Sequence, residues 1–200
     1  MKRAAWAWGL MTFFALAVGA YALAVVAGLV STEFLAKFTG YRGWANLHFF
    51  GGGLALLLGP WQFNKRLRAR RLQLHRGMGR VYLLAVAGSA VAGLFLATRA
   101  TGGFPAGAGF AGLGTLWLLS AILAFTSIKK GRVEEHRRWM TRNFALTYAA
   151  VTLRFYLPLS QIAGLDFETA YTAIAWLCWV PNLILIEWVF LAPRARRVAT

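Results

Sequence analysis

The chain has 200 residues, 59% of them hydrophobic, with 22 Lys and Arg against six Asp and Glu for a net charge of +16. A soluble domain of this size cannot bury that much continuous apolar sequence, so the composition excludes one. The single cysteine, Cys178, excludes an internal disulfide framework or a cysteine-based metal cluster and reads as a small buried apolar residue.

Six apolar segments follow in chain order, at about 4–30, 44–63, 81–99, 110–128, 143–163 and 169–192. Each approaches or exceeds the roughly 18–20 residues needed to cross a hydrocarbon core. Their hydrophobicity is continuous rather than alternating, which favours helices over a β-barrel. The expectation is an all-α, polytopic protein: one integral membrane domain over residues 1–200, with six transmembrane helices. The first segment begins Met1-Lys2-Arg3, as a signal peptide does. Its apolar run of about 27 residues exceeds the roughly 7–15 of a signal's hydrophobic core, so it reads as an uncleaved helix.

Charge placement sets the expected topology. Cations cluster at Lys2 and Arg3, seven times within 65–80, six times within 129–142 and three times within 194–197. Six helices with the N-terminus inside bring all four clusters to the cytoplasmic side, with Lys37, Arg42 and Arg99 opposite. The expected arrangement is therefore N-in and C-in. Such clusters attract anionic lipid headgroups by about 1 kcal/mol per residue. The membrane pattern accounts for the charge without nucleic acid.

The connections are short. Residues 31–43 read as an interfacial segment, 100–109 as a Gly-rich turn and 166–168 as a tight link. Pro60, Pro158, Pro181 and Asn182 mark expected kinks. Two stretches echo each other at an offset of 61–62 residues: His75-Arg76-Gly77-Met78-Gly79-Arg80 and His136-Arg137-Arg138-Trp139-Met140-Thr141-Arg142. Each precedes an apolar segment. The pattern suggests two hairpins packed as a four-helix core from the second to fifth segments, with the first and sixth flanking.

Ionisable groups at bilayer depth default to functional hypotheses. His48 stands above Gly51 and Gly52, whose bare surface admits either a flat ligand or a neighbouring helix. Arg154 shares a seven-residue spacing with Thr147 and Gln161. It needs a carboxylate, carbonyls or an anionic ligand, and Glu187 is one candidate partner. These residues define an expected ligand cavity: His48, Gly51, Gly52, Arg154 and Glu187.

Two of the three histidines suggest a b-type haem, whose iron accepts imidazole from two helices. His48 lies roughly 22 Å from the inner end of its helix, too far from the other two. His75 with His136 is the remaining pair. Arg76, Arg80, Arg137 and Arg142 are then candidates for the haem propionates or for lipid headgroups. Both histidines are placed at the inner end, before the third and fifth helices, where they are equally compatible with a solvated basic collar. Glu135 makes a three-ligand metal site conceivable, but no recognised metal spacing supports it.

His48, Gly59-Pro60-Trp61-Gln62-Phe63, His75-Arg76-x-x-Gly79-Arg80-x-Tyr82 and His136-Arg137-x-Trp139-Met140-x-Arg142 resemble a bacterial family of predicted membrane proteins, domain of unknown function 2306. The resemblance covers roughly 45–190. It implies a multi-helix inner-membrane protein with recurring histidines. A more distant similarity is to cytochrome b561-type haem bundles. Two bis-histidine haems need four histidines and this chain has three, so that likeness implies one haem at most. The expected function is a haem-binding redox module exchanging electrons with quinone. The alternative is an accessory or assembly subunit of a membrane complex, or a small-molecule permease.

Overall fold

The computed structural model describes residues 2–30 and 33–191, with side chains described for 6–30 and 35–191. The C-terminal cations at 194–197 and the side chains of Lys2 and Arg3 lie outside the described residues. The elements are α1 (Lys2–Val26), a 3-10 segment (Glu33–Tyr41), α2 (Arg42–Gln62), α3 (Lys65–Arg70), α4 (Leu72–Ala97), α5 (Gly103–Lys129), α6 (Val133–Thr147), α7 (Ala149–Ile162), α8 (Phe167–Leu177), α9 (Val180–Leu185) and a π-helical turn (Ile186–Leu191). The described residues contain no strand.

Four stretches are long and apolar enough to cross a membrane: Trp6–Val26, Leu72–Ala97, Gly103–Lys129 and Phe167–Leu191. The other two expected spans fall short on composition and continuity. In α2, Asn46, His48, Gln62 and three consecutive glycines dilute the apolar run. The 143–163 segment is split at Tyr148 into α6 and α7, and α6 opens with Glu134, Glu135, His136, Arg137 and Arg138.

Helix α2 packs against α1 and α4, α4 against α5, and α5 against α6. Helix α8 lies against α5 and α7. The expected four-helix core is thus α2, α4, α5 and the α6–α7 pair. Its interior is built from Leu56, Tyr82, Val86, Ala90, Trp117, Ala124, Phe144 and Val151. Small residues bring the helices close. A Cβ on Gly51 would stand 2.6 Å from the Ala85 carbonyl oxygen, and one on Gly107 2.8 Å from that of Ala97. Contact this close lets backbones and short side chains carry the packing where lipid provides no hydrophobic drive.

The helix ends follow local chemistry. Asn64 Oδ1 caps α3 by accepting from the Arg66 and Leu67 amides, both at 3.0 Å. Asp166 caps α8, accepting from the Thr169 amide at 2.9 Å. Gly131 (φ +72°) turns the chain between α5 and α6. The Gly-rich turn is shorter than 100–109, because α5 already begins at Gly103.

Pro181 falls where the last span breaks between α8 and α9. Asn182 Nδ2 donates there to the carbonyls of Cys178 (3.0 Å) and, across the interface, Ala145 (3.3 Å). The breaks in the α6–α7 and α8–α9 segments therefore meet, with one amide serving both.

Candidate functional site

Both echoed histidines lie within helices rather than before them, which corrects the expectation from hydropathy. His75 is in the first turn of α4, and His136 is in the first turn of α6. Hydropathy finds the apolar stretch, but Leu, Gln, Met and Arg are good helix formers and carry both helices outward through the basic residues. Helices α2 and α5 each pack against both α4 and α6, so the histidines come from opposed members of the four-helix core. They are close enough to interact electrostatically.

Their environments differ. His136 Nδ1 is 2.9 Å from the Ala124 carbonyl on α5. A carbonyl only accepts, so Nδ1 carries the proton and Nε2 is the nitrogen left for a ligand. His75 Nδ1 is buried and has no hydrogen-bond partner among the described residues. One turn further along α4, Gly79 leaves room for Gln62 of α2; a Cβ on Gly79 would stand 3.2 Å from Gln62 Oε1. Gln62 is 7% exposed, and its Nε2 also lacks a partner. Two orphaned polar atoms at one end of a bundle are unusual, since each costs about 1–3 kcal/mol if nothing satisfies it.

The four candidate arginines separate. Arg76 and Arg80 are exposed. Arg137 pairs with Glu134 at 3.2 Å in an exposed i, i+3 contact. Arg142 is engaged: its Nε and Nη2 both donate to the Glu187 carboxylate, the latter at 3.0 Å, and its guanidinium stands 4.7 Å from the Trp139 ring centroid. Glu187 therefore belongs to this end of the molecule and not beside Arg154. Glu135 is likewise occupied, by Ser127 Oγ at 3.0 Å and Arg132 Nε at 3.1 Å. No group of three His, Cys, Asp or Glu among the described residues is placed to hold a metal ion.

Seven residues beyond each histidine, roughly 10 Å deeper, lies a buried polar network. Tyr82 Oη donates to Asn143 Oδ1 at 2.7 Å and stands 2.8 Å from Thr147 Oγ1. Trp117 Nε1 donates to Thr147 Oγ1 at 2.9 Å. Asn143 Nδ2 donates to the Trp117 carbonyl at 2.9 Å and to Ser120 Oγ at 2.8 Å. Tyr82 and Asn143 are each 0% exposed. Their separation in the chain, 61 residues, equals that of His75 and His136, so the echo extends to two residues that bond each other. Sequence reasoning missed the network. Its signal was present in Ser120 and Asn143, polar residues at helix depth flanked by apolar neighbours.

The expected ligand cavity dissolves into two parts. His48 Nδ1 is 2.9 Å from the Ser89 carbonyl, and Ser89 Oγ donates back to the His48 carbonyl at 2.7 Å. The bare faces of Gly51 and Gly52 are covered by Ala85 and Ser89 of α4. These three residues form a helix interface, not a ligand surface. Arg154 lines a separate groove with Tyr21, Ala22, Val25 and Phe49. The break at Tyr148 also parts the seven-residue series, because Thr147 joins the buried network and Arg154 faces α1.

No curated protein and no solved structure matches this chain. A family model does match, over residues 45–190, and that range takes in all three histidines, the buried network and Arg154. The chain belongs to the family of predicted membrane proteins described as DUF2306.

Proposed function

We propose that the histidine end of the bundle is a cofactor site in which His75 and His136 hold one b-type haem, and that the protein passes electrons between it and a quinone dissolved in the bilayer. The observation that carries this reading is the orphaned His75 Nδ1 beside a His136 whose tautomer is already fixed. In this reading the two imidazoles, one from α4 and one from α6, serve as the two ligands of a single iron. Ala124 orients His136 in the way that outer-shell carbonyls orient ligating histidines. Haem iron held between two imidazoles supplies one-electron transfer. The chain contributes orientation, two exposed cations at the rim (Arg76 and Arg80) and a sealed floor, the Tyr82–Asn143–Thr147–Trp117 network. In this reading the spans run N-in and C-in, with the basic end at the cytoplasmic face of a bacterial inner membrane.

An absorption spectrum of the detergent-purified protein from haem-replete cells tests the proposal. The expected result is a Soret band that shifts on dithionite reduction and disappears in both His75→Ala and His136→Ala. A colourless, folded preparation overturns it.

A second reading draws on a different observation. Lys65, Arg66, Arg70, Arg71, Arg76 and Arg80 form an exposed basic collar around α3 and the start of α4. That collar suits an accessory subunit seated on anionic lipid or against an acidic partner. Binding to anionic vesicles that is lost at high salt, without any chromophore, favours it.

A further inference from the structure

The groove between α1, α2 and α7 is remote from the histidine pair and rests on none of the reading above. It is an open groove lined by Tyr21, Ala22, Val25, Phe49 and Arg154, with enclosed room for about one water-sized group beside the guanidinium. Four of the five lining residues offer carbon surface, and the fifth is a cation.

Arg154 has five N–H donors. One hydrogen bond is made, from Nη1 to the Ala150 carbonyl of its own helix at 2.9 Å. The guanidinium also stands 5.8 Å from the Tyr21 ring centroid. Among the described residues the ion pairs are Arg132–Glu135, Arg137–Glu134 and Arg142–Glu187, and none involves Arg154. An arginine keeps its charge at any accessible pH, so a guanidinium at helix depth calls for a counter-charge. The protein supplies none in the described residues.

Shape narrows the ligand. The lining runs from Tyr21 to Val25, in the last turns of α1, which ends at Val26. A carboxylate on one unbranched chain suits it, because a single acyl chain follows a narrow apolar groove. Tyr21, 45% exposed, leaves the groove open toward the bilayer.

We propose that this groove binds the carboxylate of a single-chain fatty acid, with Arg154 as the anion anchor and the acyl chain leading out past Tyr21 into the bilayer. Two N–H donors of the guanidinium fork match a carboxylate in the usual paired geometry.

The test is equilibrium binding of radiolabelled palmitate to the full chain in phosphatidylcholine nanodiscs. Unlabelled palmitate should displace the label, while hexadecanol, of equal length but uncharged, should compete at least about tenfold more weakly. Arg154→Gln should lose about tenfold or more in affinity, and Arg154→Lys should keep part of it. Val25→Phe retains the charge but fills the groove, so it should also abolish binding and serves if Arg154→Gln fails to fold. Equal competition by hexadecanol overturns the proposal, as does wild-type binding by Val25→Phe. Displacement by lysophosphatidate in preference to palmitate overturns the carboxylate assignment and gives the groove to a phosphate head.

Discussion

His48 and His75 stand toward opposite ends of the α2–α4 pair, in opposite circumstances. Around His48 the two helices touch through glycine and serine, and the imidazole finds the Ser89 carbonyl. Around His75 the partner helix has run out. Gln62, the last residue of α2, is level with Gly79, and His75 lies one turn beyond it. No α2 backbone remains opposite, and Nδ1 stays unpaired. His136 escapes that fate because α5 continues to Lys129, past the level of Ala124. The lesson is that a polar side chain inside a helical bundle is structural where the neighbouring backbone reaches it. Where a helix overhangs its partner, the same side chain is left without a hydrogen-bond partner among the described residues.

The comparison is open to direct attack, and the largest effect is expected at the closest backbone contact. Gly51→Leu drives a side chain into the Ala85 carbonyl and should cost roughly 3 kcal/mol, visible as a large drop in thermal stability in detergent. If the variant is as stable as wild type, the α2–α4 contact is not as tight as described. Next comes Asn143→Ala, which strips partners from Tyr82 and Ser120 and should cost about 1–2 kcal/mol. Tyr82→Phe should cost less, because Asn143 keeps its two other bonds.

His48 and His75 also make a matched pair of substitutions. His48→Leu should destabilise the protein by about 1 kcal/mol, since it removes the imidazole's bond to the Ser89 carbonyl. His75→Leu should be near neutral for the ligand-free protein, because it removes an atom with no partner. Equal losses at the two positions break the distinction.

The smallest effect is at Asp166, outside both regions. Accepting from the Thr169 amide and hydroxyl holds its carboxyl below the usual carboxylate range. A depressed folded value means that the contribution is present above the ordinary aspartate range and is lost as pH falls through the lowered one. Asp166→Ala should lower stability slightly at neutral pH and flatten the acid limb of a stability–pH profile, converging with wild type at low pH.

Much of the architecture was legible because it depends on composition. Apolar run length marked out the helices and their order, and the expected core pairs with the observed neighbours of α2, α4, α5 and α6. Proline positions anticipated the break at Pro181. The ends of helices were less legible, since hydropathy is blind to a helix that continues into charged sequence. That blindness placed His75 and His136 outside the helices they belong to. The partners of the charged groups were less legible still. Glu187 was offered to Arg154, yet the break at Cys178 and Trp179 and the π-helical turn aim it at Arg142 instead.

By itself the sequence determined the helical class and the membrane-type charge clusters, because each follows from residue type and spacing along one chain. Only the tertiary structure decided which polar groups are satisfied. It covered the Gly51 face with α4, closed the Tyr82–Asn143 bond between echoed positions and, among the described residues, left His75 and Gln62 with orphaned atoms and Arg154 in a groove without a carboxylate. The reason is physical: a hydrogen bond or ion pair depends on what another helix presents at the same level, and helix overhangs and breaks set that level.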